Sequence, residues 1–301
     1  MTISRIESVA YGVEDVPAGI RYFEDWGLEC VERSEHGADF ATPAGQSILV
    51  RSSTDAALPP AVQNGSTLRE VIWGVANGGT LEKIGAELSR DREVKPGADG
   101  TLHTQDVSGF AIGFCGMAPA RKPVSGKKGA GPSRMNHPFD PERRARPMRI
   151  GHVVYGVRKK DFEKASAFYI DRLKFRLSDR ATGLGDFMRC AGTNDHHSLF
   201  FHIRADRAVF DHLAFEVRDI DEIILGGKFM KEQGWKANTP VGRHILGSNL
   251  FWYFNNPCGG RTEYFADMDL MDDDWKPRVW EQHPGFAMWM LEKADAPELQ
   301  L

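Results

Sequence analysis

Two stretches of this chain repeat each other, and the repeat constrains the fold more than any other feature. Residues 5–13 read RIESVAYGV and residues 149–157 read RIGHVVYGV, with six of nine positions identical. Residues 15–23 (DVPAGIRYF) resemble residues 161–169 (DFEKASAFY) at almost the same spacing. Self-similarity over such a distance indicates two copies of one structural unit. A length of 301 residues also suits two domains.

The composition between the two copies predicts where the domains end. From Met117 to Pro147 the chain is rich in proline, glycine, lysine and arginine, which is typical of a solvated linker. We therefore predict a first domain over 1–116, a linker over 117–147, a second domain over 148–270 and a tail over 271–301. Three tryptophans make the tail too aromatic for a disordered end, and we expect it to pack onto a domain or a neighbouring subunit.

The hydrophobic pattern predicts an α+β fold. In the second half, strands are expected near 149–157, 174–180, 185–191, 197–203, 209–217, 250–256 and 260–266, with helices near 161–173 and 219–233. This order corresponds to two βαβββ modules, with one strand of the second module not located. Two such modules can pair into a curved, partly closed sheet around a cavity, with alternate side chains of each strand lining it. The repeat predicts the same arrangement in the first half.

Charge and cysteine usage exclude several classes of function. The net charge is −4 with a pI near 6.2, which argues against nucleic acid or an anionic membrane as the main partner. The four cysteines lie far apart and form no C-x-x-C pair, so a reduced cytoplasmic location is expected. The first residues lack the features of a signal peptide, and no run is long enough for a membrane helix. We expect a homo-oligomer whose subunit number the sequence leaves open.

Three polar residues interrupt apolar strands of the second half. They are His152 in IGHVV, His212 in VFDHLAFEV and Glu263 in RTEYF. Two histidines and one carboxylate on separate strands form the ligand set of a facial triad, which leaves positions open for substrate and oxygen. A single histidine in a strand is more often structural, so this interpretation needs further support.

The first half supplies that support because it keeps the pattern and loses the ligands. Ser8 aligns with His152, Glu70 with His212 and Gly113 with Glu263. The fold therefore does not itself require the imidazoles. We expect one half to serve as a scaffold and the other to hold the metal.

The motifs of the second half resemble those of a known family. The segment GHVVYGV, the HHSLFF segment, DHLAFEV, and GRH followed nine residues later by Tyr253 occur in the order seen in type I extradiol ring-cleavage dioxygenases. These enzymes belong to the vicinal oxygen chelate (glyoxalase/bleomycin resistance/dioxygenase) superfamily. The resemblance covers residues 149–270 in motif and the whole chain in architecture.

The resemblance implies a role for each matching residue. His152, His212 and Glu263 would bind Fe(II), or alternatively Mn(II). His197 would be the acid–base residue, with His244 and Tyr253 hydrogen-bonding the substrate and the oxygenated intermediate. His196 is expected to point away from the site and to be structural. The implied reaction is extradiol cleavage of a small aromatic diol with both atoms of O2 incorporated, in aromatic compound degradation.

One segment departs from the family pattern. Many relatives read G-R-H-T-N-D, and Leu246 stands here where they have asparagine. Asn249 shares strand parity with Phe251 and Tyr253 and could compensate, so Leu246, Asn249 and Phe251 are expected to line the substrate site. The departure leaves the substrate open and is similar to enzymes that act on trihydroxylated rings.

Other functions remain open at this stage. A glyoxalase-like isomerase and a hydroxyphenylpyruvate-type dioxygenase share the superfamily, and the latter shares the two-histidine, one-glutamate set. A metal-free small-molecule binding protein would be a third possibility. It is disfavoured because three candidate ligands and three further polar residues occur together in one half.

Overall fold

The computed structural model describes residues 1–121, 136, 138, 140 and 143–291. The first half contains eight strands and two helices in the order βαβββ, βαβββ. In chain order they are β1 (Ile3–Val13), α1 (Val16–Asp25), β2 (Glu29–Ser34), β3 (Gly37–Ala41), β4 (Ser47–Ser52), β5 (Thr67–Val75), α2 (Gly78–Leu88), β6 (Lys95–Pro96), β7 (Leu102–Gln105) and β8 (Ala111–Gly116).

The second half repeats this order and adds two strands. Its elements are β9 (Arg149–Arg158), α3 (Phe162–Ala167), β10 (Arg176–Ala181), β11 (Gly185–Arg189), β12 (Leu199–Arg204), β13 (Val209–Glu216), α4 (Ile220–Glu232), β14 (Gly242–His244), β15 (Leu250–Asn255), β16 (Arg261–Ala266), β17 (Arg278–Trp280) and β18 (Ala287–Met290). A 3₁₀ turn precedes α3 and a π-helical turn follows it, so one irregular helix fills the predicted range 161–173. The short strand β14, which carries the GRH motif, was not predicted.

Each half forms one curved sheet, and the two sheets share a strand order. The first is β2-β3-β4-β1-β5-β8-β7-β6, and the second is β17-β10-β11-β12-β9-β13-β16-β15-β14-β18. In both, the modules join through their first strands, which run antiparallel. The predicted α+β fold of paired βαβββ modules is confirmed. The exact domain boundaries stay a prediction, because most of the predicted linker lies outside the described residues.

The strand register confirms the alignment of the two halves. Val153 pairs with Leu213, and Val9 pairs with Val71. The equivalent of His212 is therefore Glu70. Ala214 pairs with Glu263, and Ile72 pairs with Gly113. The ligand positions of the second half thus correspond to Ser8, Glu70 and Gly113 in the first.

The tail belongs to the second sheet as far as it is described. β17 pairs with β10 at one edge and β18 pairs with β14 at the other. The expectation that the tail packs back is confirmed for residues 271–291, and residues 292–301 lie outside the described part. No helix in the described ranges is long and apolar enough to cross a membrane.

Helix α1 joins the two halves. The side chain of Asp15 caps its first turn by accepting from the Ala18 amide, and this fixes where the helix begins. At its other end the Trp26 ring stacks on Tyr264 of β16, with 3.5 Å between ring centroids, and the Tyr264 hydroxyl donates to the Trp26 carbonyl. Tyr264 and Glu263 are consecutive, so they point to opposite faces of the strand. The helix therefore supports the sheet directly behind the candidate ligand.

We expect Trp26→Ala to lower the free energy of unfolding by about 3–5 kcal/mol, because it removes a fully buried indole from this contact. Urea denaturation followed by circular dichroism measures the change. Lys83→Ala on the exposed face of α2 is the control and should change stability by less than about 0.5 kcal/mol. A loss no larger than that of the control would contradict the role given to α1.

Candidate metal centre and active-site cavity

Three adjacent strands bring the candidate ligands together. Ala214 of β13 pairs with His152 on one side and with Glu263 on the other. His212 lies two residues before Ala214 and so projects from the same face of the sheet. The small side chain of Ala214 leaves the space between its neighbours open. The three predicted ligands therefore surround one point without any contribution from loops.

The distances at this point suit a metal site. One ligand atom from each of His152, His212 and Glu263 lies within 4.8 Å of the others. The Oε2 atom of Glu263 lies 3.0 Å from Nε2 of His152 and 3.3 Å from Nε2 of His212. All three residues are buried. Nε2 of His212 has no hydrogen-bond partner within the part of the chain that the structure describes.

Neighbouring side chains orient these donors. Nδ1 of His212 donates to Asp211 at 2.8 Å, which directs its Nε2 toward Glu263. Asp211 in turn accepts from Arg204 and Arg261. The amide of Asn249 donates to Oε1 of Glu263 at 3.0 Å. Hydrogen bonds of this kind fix the rotamer of a ligand and tune its basicity.

The electrostatics of the cluster favour an ionised carboxylate beside the two imidazoles. Burial opposes ionisation of Glu263, but the adjacent His152 and His212 outweigh it and lower the pKa of the carboxyl. Burial lowers the pKa of His152, which favours its neutral form, whereas the Asp211 and Glu263 carboxylates outweigh burial and raise the pKa of His212. Two nitrogen donors and one oxygen donor without a thiolate fit divalent iron or manganese better than a closed structural zinc site. The buried Nε2 of His212, which faces the Glu263 carboxylate without a hydrogen bond of good geometry, is the observation that supports this fit.

His197 lies beside the candidate ligands. Its ring centroid is 4.1 Å from that of His152, and its Nδ1 is 3.0 Å from Nδ1 of His196. Burial and the nearby His152 and His196 imidazoles lower the pKa of His197 well below its ordinary value. It is therefore a neutral imidazole near pH 7, with one ring nitrogen that can accept a hydrogen bond.

Strand alternation predicts that His196 points away from this group. In the structure it contacts His197 instead. The pair precedes β12, in a stretch that is not a regular strand, and the two rings meet edge to face. His196 is fully buried. The structure thus connects a histidine expected to be structural with the predicted acid–base residue.

His244 and Tyr253 form a second polar pair in the site. Nδ1 of His244 lies 2.9 Å from the Phe286 carbonyl, which can only accept, so this nitrogen carries the proton. Burial lowers the pKa of His244 to about 4, so its Nε2 is an acceptor at neutral pH. The Tyr253 hydroxyl, 2.9 Å away, therefore donates to His244. Both residues lie where the GRH-to-tyrosine spacing predicts a pair.

Apart from Glu263 and His196, these groups border one cavity of about 170 Å³. Its walls are largely apolar, and they are formed by Val154, Leu184, Phe187, Phe200, Leu246 and Phe286. Leu246 and Asn249 border it as the sequence predicts. Phe251, which was also expected to line the site, is not among the residues that border the cavity; its ring stacks on His244 with 4.0 Å between centroids. The space and lining suit one small aromatic ring.

His202, His283 and Phe286 are among the cavity residues that the sequence interpretation missed. His202 and His283 were left as surface or packing residues, and Phe286 lay in a tail without a predicted position; all three border the cavity. The alternation of Phe200 and His202 along β12 was a usable signal for one of them. No sequence signal places His283 and Phe286 there, because the tail returns to the site only through pairing of β18 with β14.

The corresponding region of the first half differs in its chemistry. Oε1 of Glu70 lies 2.8 Å from Nδ1 of His103 at the mouth of an open depression. Burial raises the pKa of Glu70, which opposes its ionisation. With serine and glycine at the other two ligand positions, this site offers one carboxylate where the second half offers three donors.

A family model and several curated proteins match part of this chain. A model of the Glyoxalase/Bleomycin resistance protein/Dioxygenase superfamily matches residues 149–264. Metapyrocatechase 2 of Cupriavidus necator is 35% identical over 128 residues, which is 42% of this chain and 39% of that protein. Aligned segments cover less than half of each curated relative's own length.

Two solved structures share the fold at low sequence identity. The Mn(II)-bound glyoxalase from Novosphingobium aromaticivorans has a TM-score of 0.74 at 21% identity, over 94% of this chain and 89% of that one. The 2,2',3-trihydroxybiphenyl 1,2-dioxygenase from dibenzofuran-degrading Sphingomonas wittichii has a TM-score of 0.75 at 18% identity, over 97% of this chain and 99% of that one. These likenesses support the two-sheet architecture.

We expect His212→Ala to abolish stoichiometric metal binding, because it removes one of three converging donors. Metal analysis of the purified protein after iron or manganese loading measures this. Glu70→Gln changes the equivalent position of the first half and should retain full metal content. A fully metallated His212→Ala protein would refute the assignment.

Proposed function

We propose that the chain is an extradiol dioxygenase, starting from the match of residues 149–264 to the model of the Glyoxalase/Bleomycin resistance protein/Dioxygenase superfamily. It would open the ring of a small aromatic vicinal diol beside the two hydroxyls and incorporate both atoms of O2. The names of its relatives, which include metapyrocatechase and biphenyl-2,3-diol 1,2-dioxygenase, support this class of substrate. Degradation of an aromatic compound is the corresponding role.

The arrangement of the cavity carries the proposal. Three metal-binding donors lie at one end of an apolar cavity, a neutral imidazole lies beside them, and a tyrosine–histidine pair lies on the wall. An aromatic ring matches the phenylalanine and leucine walls, and two adjacent hydroxyls match the polar end. Such convergence of a few polar groups in an apolar cavity is typical of a small-molecule active site.

His197 and the Tyr253–His244 pair would have separate roles in proton chemistry. His197, held neutral, would accept a proton from one substrate hydroxyl and later return it as the ring opens. Transfer through a positioned side chain of this kind contributes about 10²–10⁴-fold in rate. The Tyr253 hydroxyl donates to His244 and keeps its oxygen lone pairs free for a substrate hydroxyl. His197 and Tyr253 would therefore interact with different hydroxyl oxygens of the substrate.

His152, His212 and Glu263 would hold the metal, which we propose to be Fe(II), with Mn(II) as the alternative. The ion would supply positive charge that lowers the pKa of a bound hydroxyl and a route for electrons toward O2. Asp211 and Asn249 would keep His212 and Glu263 in the orientation that this binding needs. The residues of the first half would contribute support only.

Oxygen consumption with a small set of diols tests the function. The purified, iron-loaded protein should consume one O2 per diol with catechol, 3-methylcatechol, 2,3-dihydroxybiphenyl or a trihydroxylated ring, and form a yellow ring-opened product. Manganese-loaded protein distinguishes the two metals. Absence of oxygen uptake with every diol, together with isomerisation of a glutathione hemithioacetal, would instead indicate a glyoxalase-like enzyme.

We expect His197→Gln to keep its iron and to lose about 10²–10⁴-fold in kcat, since glutamine cannot exchange the proton. Iron content and oxygen uptake are measured on the same preparation. His103→Gln, which changes an imidazole of the first half, is the control and should retain activity. Loss of iron from His197→Gln would make His197 a ligand or a folding residue.

Leu246→Asn should change the ranking of substituted diols without changing iron occupancy. Leu246 is buried on the cavity wall, and one added hydrogen bond there is worth about 0.5–1.5 kcal/mol, which is roughly two- to twelve-fold in relative kcat/KM. Competition between pairs of diols measures it. Leu270→Asn, at an exposed position, should leave the ranking as it is. An unchanged ranking in both variants would exclude Leu246 from substrate selection.

A further inference from the structure

A buried chain of hydrogen bonds leads from the C-terminal tail to His197. Asp179 of β10 accepts from Nε2 of His196 at 2.7 Å, and Nδ1 of His196 lies 3.0 Å from Nδ1 of His197. On the other side, Arg278 and Trp280 of β17 donate to the same carboxylate at 2.6–3.1 Å. This series of hydrogen bonds therefore connects the edge of the sheet to the cavity wall.

The residues of this hydrogen-bonded series are buried more completely than structural polar groups usually are. Asp179 and His196 are completely inaccessible to solvent. Placing a carboxylate and an imidazole there removes their hydration, which costs several kcal/mol unless hydrogen bonds replace it. The guanidinium of Arg278 and the indole of Trp280 provide that replacement. Burial opposes ionisation of Asp179, but the hydrogen bonds from His196 and Arg278 outweigh it and lower its pKa.

The hydrogen-bond partner of each ring nitrogen determines whether that nitrogen carries a proton. An ionised Asp179 can only accept, so Nε2 of His196 carries a proton. In neutral His196, Nδ1 is then an acceptor, and Nδ1 of His197 must donate to it. Nε2 of His197 is left with its lone pair, and His197 is the member of the pair that borders the cavity.

The first half shows that the fold does not require this chain. Strand register gives Glu32, Gly45 and Gln46 as the equivalents of Asp179, His196 and His197. Glu32 is exposed, and Gln46 donates to the backbone carbonyls of Ile6 and Ile150. The buried acid and histidine are therefore particular to the half with the cavity.

We propose that Asp179 and His196 are positioning residues that hold His197 with its Nε2 lone pair toward the substrate, and that β17 of the tail completes this arrangement. The inference rests on the proposed function, because it concerns the residue that exchanges a proton with the diol. It explains why an arginine and a tryptophan of the tail converge on one buried carboxylate. It also gives the tail a part in the reaction.

Asp179→Asn tests the inference because the amide keeps the shape and can donate to His196. That donation would reverse the proton order and direct a proton of His197 toward the cavity. An equivalent aspartate-to-asparagine change beside a catalytic histidine in a serine protease lowers kcat by about 10⁴. We expect at least a tenfold loss of kcat with catechol and a smaller loss with 4-nitrocatechol, whose hydroxyl is more acidic and needs less help from a base.

Asp186→Asn is the matched control. Asp186 is equally buried and also accepts from an arginine, Arg180, but it contacts Ser166 instead of a histidine. Its replacement should change both substrates by the same factor. Iron content and melting temperature are measured for every variant, so that a loss of metal or fold is separated from a loss of proton transfer.

The outcomes are distinguishable. Turnover by the unaltered protein, with an equal loss on both substrates in Asp179→Asn, would overturn this inference and leave the proposed function intact. No turnover of any diol by the unaltered protein would overturn the proposed function itself. If Asp179→Asn does not fold, Arg278→Gln keeps the carboxylate and removes its partly exposed partner. The same dependence on substrate acidity is expected there, and its absence would equally overturn the inference.

Discussion

The pairing of β13 with both β9 and β16 is the constraint on which the site depends. It places Ala214 between His152 and Glu263 and puts His212 one pleat away on the same face. Register in a sheet has a period of two, so a slip of one residue would turn all three donors to the opposite face. Hydrophobic side chains on that opposite face oppose any slip, because they are packed against α1 and its aromatic residues. Packing on one face thus determines chemistry on the other.

The duplication separates the requirements of the fold from those of the site. Both halves keep the strand order and the apolar face, whereas only the second keeps the three donors, the buried Asp179–His196 pair and the histidine–tyrosine pair. Burying these ionisable groups costs free energy that each must recover from its neighbours. Glu263 recovers it from two imidazoles, and Asp179 from His196 and Arg278. Their presence in one half therefore indicates a use beyond stability.

Two strands of the tail belong to the second sheet. β17 and β18 extend opposite edges of one sheet, so a segment of about twenty residues reaches both ends of the cavity wall. One strand carries Arg278 to the buried carboxylate. The loop before the other brings Phe286 against His244. The cavity wall and the hydrogen bonds to Asp179 thus both include residues that follow the repeated unit.

The sequence by itself determined the repeat, the βαβββ order, the loss of ligands in the first half and the three converging donors, because strand alternation and self-similarity are local or pairwise patterns. It also predicted His197, His244, Tyr253 and Leu246 at the cavity through motif spacing. Only the tertiary structure decided the contributions of His283, Phe286 and Arg278 and the contact between His196 and His197. Those depend on which sheet edge the tail pairs with and on an irregular stretch before β12. Pairing partners far apart in the chain are chosen by packing and hydrogen bonding of the whole sheet, which no periodicity in one segment encodes.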